Sequence, residues 1–222
     1  MGSELHAGHR QRIDEKAHKL GLEFMEEHEQ LEKLLFSVIP RGNTNEIAHK
    51  LLDRFGTIGG VLSADADNLC EIEGVGLRTA EFLHDLPKLL GIVERSLSQN
   101  KEGKIILDDT EKAGKYAKSL FYGQLTESLY MISLNSAMQV MRFDKIADGS
   151  VSAIDVPVSK LTRLAVLNNA SAVIIAHNHP GGTLIASECD LRTTKALKIA
   201  FDVLNITFVG HAIVAGGKFI FI

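Results

Sequence analysis

The sequence predicts an α/β protein: a C-terminal mixed β-sheet flanked by helices, preceded by an all-α domain. Three observations predict it. From about residue 12 to 97 the apolar residues recur at helical spacing and strand-like runs are absent. After about residue 104, strand-like runs alternate with helical ones. Between the two lies Gln99-Asn-Lys-Glu-Gly103, a short polar stretch with no packing face. The expected division is a helical domain over 1–98 and an α/β domain over 104–222.

Each element has its own signal. Leu31, Leu34, Leu35, Val38 and Ile39 make one helical stripe, closed by Pro40. Ile47, Leu51, Leu52 and Phe55 make the next, with Gly56 at its C-terminal end and Asn45 or Thr44 expected to cap its start. Ser128–Leu134 and Val140–Ile146 read as a hairpin turning at Asn135-Ser136. Val156–Asn169 reads as a helix begun at Pro157, and Ser171–Ala176 as a short, wholly apolar strand. A helix from about Ser187 to Leu204 follows. Strands Ile206–Val214 and Lys218–Ile222 close the chain around Gly216-Gly217. Strands and helices in this alternation predict a layered sheet with both parallel and antiparallel pairs.

Composition narrows the function classes. The chain has 222 residues, 45% hydrophobic and 23% charged, which fits packed globular domains. No apolar run approaches the roughly 18 residues of a membrane span, and the N-terminus has no apolar signal core, so a cytoplasmic protein with no membrane partner is expected. Residues 1–98 hold 11 basic against 17 acidic residues, and residues 99–222 hold 13 against 11. Neither half is the strongly basic body that binds nucleic acid by neutralising phosphates. The two cysteines, Cys70 and Cys189, are too few for a zinc finger or a disulfide scaffold, so any metal falls to His and carboxylates.

The chemistry gathers in His177-Asn-His179-Pro-Gly-Gly-Thr-Leu-Ile-Ala-Ser187-Glu-Cys-Asp190, where a strand ends and a helix begins. Residues i and i+2 of a strand point to one side, so His177 and His179 can present two imidazoles to one point. Residues i and i+3 share a helix face, so Ser187 and Asp190 look out together. Two His nitrogens and one carboxylate oxygen fill three positions of a tetrahedral Zn²⁺ and leave a fourth for water, the arrangement of a catalytic site. Glu127, which alone among glutamates falls between Glu111 and Glu188, is the candidate general acid/base at the start of a strand. Ser187 is the candidate donor to an oxyanion. Ser187-x-x-Asp190 is also a good N-terminal capping arrangement for the helix that follows.

These residues carry a resemblance. Glu127, His177-x-His179, seven residues to Ser187 and two more to Asp190 resemble the JAMM/MPN+ metalloprotease signature. More closely, the chain resembles the RadC family, the UPF0758 proteins named for DNA repair, whose C-terminal half is a JAMM domain. Gly8-His9-Arg10, Ile39-Pro40-Arg41, Arg54-Phe55-Gly56 and Gly74-Val75-Gly76 extend the likeness to the helical half. The resemblance implies Zn²⁺ on His177, His179 and Asp190, acid/base work by Glu127, oxyanion support by Ser187, and hydrolysis of a peptide or isopeptide substrate. Three departures stand out: the loop reads Pro180-Gly181-Gly182 where the family tends to Pro-Ser-Gly, position 189 is Cys rather than the common Glu, and Ile222 falls short of a frequent tail.

Other readings stay open. Glu73-Gly-Val-Gly76-Leu-Arg78 lacks a preceding strand and a third Gly, so it is not a dinucleotide fingerprint. It resembles a helix-hairpin-helix, so residues 72–88 are a candidate DNA contact with Arg78 and Lys88 assisting. Glu71, Glu73, Glu81 and Asp85 nearby oppose a phosphate backbone. The rival function is a DNA-binding or repair-associated protein, or a metal-dependent nuclease, in which the metal is structural or auxiliary. Cys189 is expected to be a partly buried spectator, and His211, alone on a late strand, a satisfied or surface residue.

Overall fold

A computed structural model describes residues 3–149 and 158–222. Its contacts divide the chain into two units, Met1–Pro87 and Lys88–Ile222. Among the described residues, no helix is long and apolar enough to cross a membrane.

The first unit is helical: α1 (Ser3–Leu20), α2 (Glu27–Leu35), α3 (Thr44–Phe55), α4 (Ile58–Ser63), α5 (Ala66–Cys70) and the start of α6 (Leu77–Leu97). Leu31, Leu35, Ala48, Leu51, Val61, Leu69, Ala80 and Leu83 are fully buried in one core. The expected helix up to Pro40 ends earlier, at Leu35. Ser37 and Val38 donate to carbonyls three residues back, and Arg10 Nη2 binds the Ile39 carbonyl at 2.6 Å. A residue before proline disfavours helical backbone, which is why the chain leaves the helix before Pro40.

The cap of α3 is also corrected. Asn43, not Thr44 or Asn45, accepts from the Glu46 amide. Thr44 and Asn45 turn inward instead, donating to the buried Glu32 carboxylate at 3.0 and 3.1 Å. Helix α1 reaches back to Ser3, ahead of the apolar pattern. The Gly74 turn stands between α5 and α6. Its φ is +94°, and a Cβ there would meet the Ile47 side chain at 2.8 Å, so glycine is required twice over.

The second unit holds α7 (Thr110–Ser119), β1 (Ser128–Leu134), β2 (Val140–Asp148), α8 (Val158–Leu167), β3 (Ala172–Asn178), α9 (Glu188–Val203), β4 (Thr207–Ala215) and β5 (Lys218–Phe221). The sheet order is β2-β1-β3-β4-β5. β3 and β4 are parallel, joined by the crossover through α9, and the other neighbours are antiparallel. The mixed sheet is as the sequence predicts. The expected start of α8 at Pro157 lies outside the described residues.

Helix α7 is absent from the sequence reading. Asp109 caps it by accepting from the Lys112 amide, and its small residues let it lie close to the sheet. A Cβ at Gly114 would stand 2.0 Å from the Phe219 ring of β5.

Strands β1 and β3 are buried along their whole length, so both sheet faces are covered. Tyr130, Ile132, Leu134, Ala172, Ile174 and Ala176 pack toward α7. Leu129, Met131, Val173 and Ile175 pack toward Leu161 of α8 and Leu197 and Phe201 of α9. The period of two therefore fixes which residues at the end of β3 face α9.

Candidate metal centre

His177 follows Val173 and Ile175 on the α9 face of β3 and is 1% exposed. The strand runs two residues further than expected, to Asn178, so His177 is held by sheet pairing on both sides. His179 stands just beyond it, its amide donating to the Val214 carbonyl at 2.8 Å and its Nδ1 lying 2.8 Å from the Thr183 carbonyl. The turn after it closes through the Gly182 amide on the His179 carbonyl, with Gly182 at φ +81°. A side chain at Gly181 or Gly182 would meet nothing within 4 Å. These two residues therefore face open space.

The third group comes from the start of α9. Ser187 is the N-cap and forms a reciprocal capping box with Asp190. Asp190 Oδ2 accepts from the Ser187 amide at 2.7 Å and from its hydroxyl at 2.6 Å. The same carboxylate lies 3.3 Å from His177 Nε2 through Oδ1 and 3.7 Å from His179 Nε2 through Oδ2. The capping role and the proximity to both histidines thus coexist in one side chain.

Glu127 directly precedes β1, whose Leu129 is paired with His177. Its neighbours are pinned on both sides. Asn178, 4% exposed, accepts from the Ser128 amide at 2.7 Å and donates to the Thr126 carbonyl at 3.1 Å. Asp148 Oδ1 accepts from the hydroxyls of Thr126 and Ser128 at 2.7 and 2.9 Å, and the Glu127 carbonyl accepts from the Gly149 amide. Among the described residues, Glu127, His177 and His179 form a cluster whose potential ligand atoms all lie within 4.8 Å of one another.

The donor set suits a cation. A carbonyl can only accept, so the ring of His179 carries its proton on Nδ1 and turns the lone pair of Nε2 outward. That lone pair faces His177 Nε2 at 2.8 Å, beside the Asp190 carboxylate. Donor atoms sharing one tetrahedral zinc stand about 3.3 Å apart, and the separations of 2.8, 3.3 and 3.7 Å bracket this. Burial pushes His177 down to about 4, with Asp190 opposing and His179 adding to the shift. Burial alone would raise the Asp190 carboxyl, but the two Ser187 hydrogen bonds, then the imidazoles of His177 and His211, bring it below its usual value. At neutral pH His177 is therefore a neutral imidazole beside an ionised carboxylate, the protonation state metals require.

Behind His177 lies a residue that sequence reasoning set aside. His211 of β4 is 2% exposed, and its Nε2 is 2.8 Å from His177 Nδ1. Its Nδ1 is 2.7 Å from the Thr194 hydroxyl on α9. Burial, then the neighbouring His177, pushes His211 down to about 3. Asn178 was passed over in the same way. The available signal was alternation: an isolated His and an Asn, each inside an apolar strand, demand polar partners across the sheet. Cys189 is exposed rather than partly buried.

Comparison with known proteins bears on the same half of the molecule. A family model described as a RadC-like JAB domain matches residues 107–221, just over half of the chain. A UPF0758 protein of Fusobacterium nucleatum is 29% identical over 225 residues, covering 99% of this chain and 96% of its own. UPF0758 proteins of Aliivibrio fischeri and Aliivibrio salmonicida are each 28% identical over 206 residues, covering 93% of this chain and 91% of theirs.

Proposed function

The chain belongs to the RadC family, and from that premise we propose that it is a zinc-dependent hydrolase of amide or isopeptide bonds. His177, His179 and Asp190 would hold the metal. The observation that carries this reading is the pair of Nε2 atoms 2.8 Å apart, one of them forced to present a lone pair, beside an ionised carboxylate. Two nitrogens and an oxygen suit zinc better than the harder cations, which prefer oxygen alone. Zinc, when bound, supplies Lewis acidity that polarises a carbonyl and makes water acidic near neutral pH.

The chain's own groups do the rest. Glu127 takes a proton from the attacking water and returns it to the departing amine, and its pinned neighbours Thr126 and Ser128 hold it over the two histidines. The Ser187 hydroxyl donates to Asp190 in this structure. Rotation about its side-chain bond would redirect that proton to an oxyanion. The open Pro180–Gly182 turn gives an extended peptide room to approach.

The rival reading assigns DNA to residues 72–88. At its edge Glu73 holds Lys50 at 2.8 Å, and just before it Glu71 holds Arg54 at 3.5 Å, so these α3 cations are engaged within the unit. This charge balance counts against a phosphate contact by these two cations.

The test is elemental analysis of protein purified without chelator or metal-affinity tag. About one zinc per chain is expected in the wild type and none in His177→Ala, His179→Ala. Glu127→Gln should keep the zinc and lose turnover on a panel of isopeptide-linked and linear peptides. No zinc in the wild type, even after zinc is supplied, overturns the metal reading. Loss of zinc from Glu127→Gln would instead make Glu127 a ligand.

A further inference from the structure

The contact chain behind the metal centre runs His179–His177–His211–Thr194, with successive separations of 2.8, 2.8 and 2.7 Å. Every link joins two groups that can each donate or accept, except at the outer end, where the Thr183 carbonyl leaves His179 Nε2 as an acceptor. That end sets the order of protons without metal. His177 Nε2–H donates to His179, His211 Nε2–H donates to His177 Nδ1, and the Thr194 hydroxyl donates to His211 Nδ1.

A metal on His177 Nε2 requires the opposite order. The proton of His177 must then sit on Nδ1, which donates to His211 Nε2, and His211 Nδ1–H donates to the Thr194 oxygen. Both orders use the same two contacts behind His177, at 2.8 and 2.7 Å, with no exchange of partners. This works because an imidazole and a rotatable hydroxyl are each able to reverse. Phe or Val in place of either would support neither order, and a carboxamide would support one order per orientation.

Resting on the zinc reading above, we propose that His211 and Thr194 are positioning residues that let His177 change tautomer as metal arrives. The protons balance. One leaves His177 Nε2 for water, the Nε2 proton of His211 passes to His177 Nδ1, the Thr194 proton passes to His211 Nδ1, and the half-buried Thr194 regains one from water. The pair also holds the His177 ring in the orientation that places Nε2 beside Asp190.

The experiment measures Zn²⁺ affinity of the full chain by competition with a chromophoric chelator at neutral pH. Partners behind a ligating histidine are worth about 10–100-fold in affinity, so Thr194→Val should weaken zinc by about tenfold and His211→Phe by more. Thr194→Ser, which restores the hydroxyl, should return to within about twofold of wild type, a rescue that packing alone does not provide. Nitrogen-15 NMR of the wild type should show the His211 proton on Nε2 without zinc and on Nδ1 with it. Equal affinity in wild type, Thr194→Val and His211→Phe, or a His211 tautomer unchanged by zinc, overturns the relay and leaves the metal site standing. A wild type that binds no zinc overturns both together.

Discussion

Among the described residues, two clusters built from histidine and a carboxylate differ in how their donors are counted. In the helical unit Glu32, 1% exposed, meets His9 Nε2 at 3.0 Å, the Thr44 hydroxyl at 3.0 Å and the Asn45 amide at 3.1 Å. Each of these partners can donate, and the carboxylate accepts them all. In the α/β unit the Asp190 carboxylate is already committed to Ser187, and the two histidines beside it turn Nε2 atoms toward each other. The first cluster is chemically closed and ties α1, α2 and α3 together. In the second, a single imidazole proton bridges two nitrogens, the position that the proposed zinc would take. The donor balance, more than the residue types, separates a structural cluster from a candidate site.

Zinc itself gives the largest expected contrast. Supplied at about 1,000 times its dissociation constant, it should stabilise the wild type by about 4 kcal/mol in denaturant melts followed by circular dichroism. His177→Ala, His179→Ala should show no such gain. Glu32→Leu should lose about 2–4 kcal/mol, because the Thr44 hydroxyl and Asn45 amide are left without an acceptor in a buried place. It should keep the zinc increment in full. A Glu32→Leu protein that also fails to respond to zinc would erase the distinction between the clusters.

The two clusters were unequally legible in the sequence. His177-x-His179 and Ser187-x-x-Asp190 are readable because strand and helix periods alone bring i, i+2 and i, i+3 together. Thr44 and Asn45 were misread as caps, since local propensity points them at the helix start while packing turns them onto Glu32, 12 and 13 residues back. His211, Thr194 and Asn178 were not legible as site residues. His211 reaches His177 across 34 residues through parallel pairing, and Asn178 reaches Thr126 across 52 through antiparallel pairing. No periodicity encodes such distances. The sheet itself was readable from its apolar runs, whereas α7 was not, because Ala113, Gly114 and Ala117 are weak apolar signals.

Asn178 lies between the two kinds of cluster and sharpens the comparison at a smaller scale. It sits between two candidate ligands, yet its amide closes a backbone gap between Thr126 and Ser128. Asn178→Ala should cost about 1–3 kcal/mol in the same melts, the penalty of buried backbone groups left unpaired. Zinc stoichiometry should not change. A variant that loses zinc while keeping its stability would move Asn178 from the scaffold to the site.

Asp148 gives the smallest effect, and one with a defined pH window. The hydrogen bond from Lys145, then that from Thr126, pull its carboxyl down to about 2 against the opposing effect of burial, with Ser128 adding to the pull. A carboxyl held lower in the folded chain than in the unfolded one stabilises the fold above the unfolded value. That contribution is lost as pH falls from about 3.9 through about 2. The side chain is 53% exposed, so solvent screening should hold the contribution below about 1 kcal/mol. Asp148→Asn keeps an oxygen for the Thr126 and Ser128 hydroxyls and removes the titration. Melts of the two proteins should therefore converge toward pH 2 and separate above pH 4, with wild type the more stable. Curves that stay parallel across this range would mean that Asp148 holds the start of β1 by its hydrogen bonds alone, as Glu32 holds α3, and that its charge adds nothing.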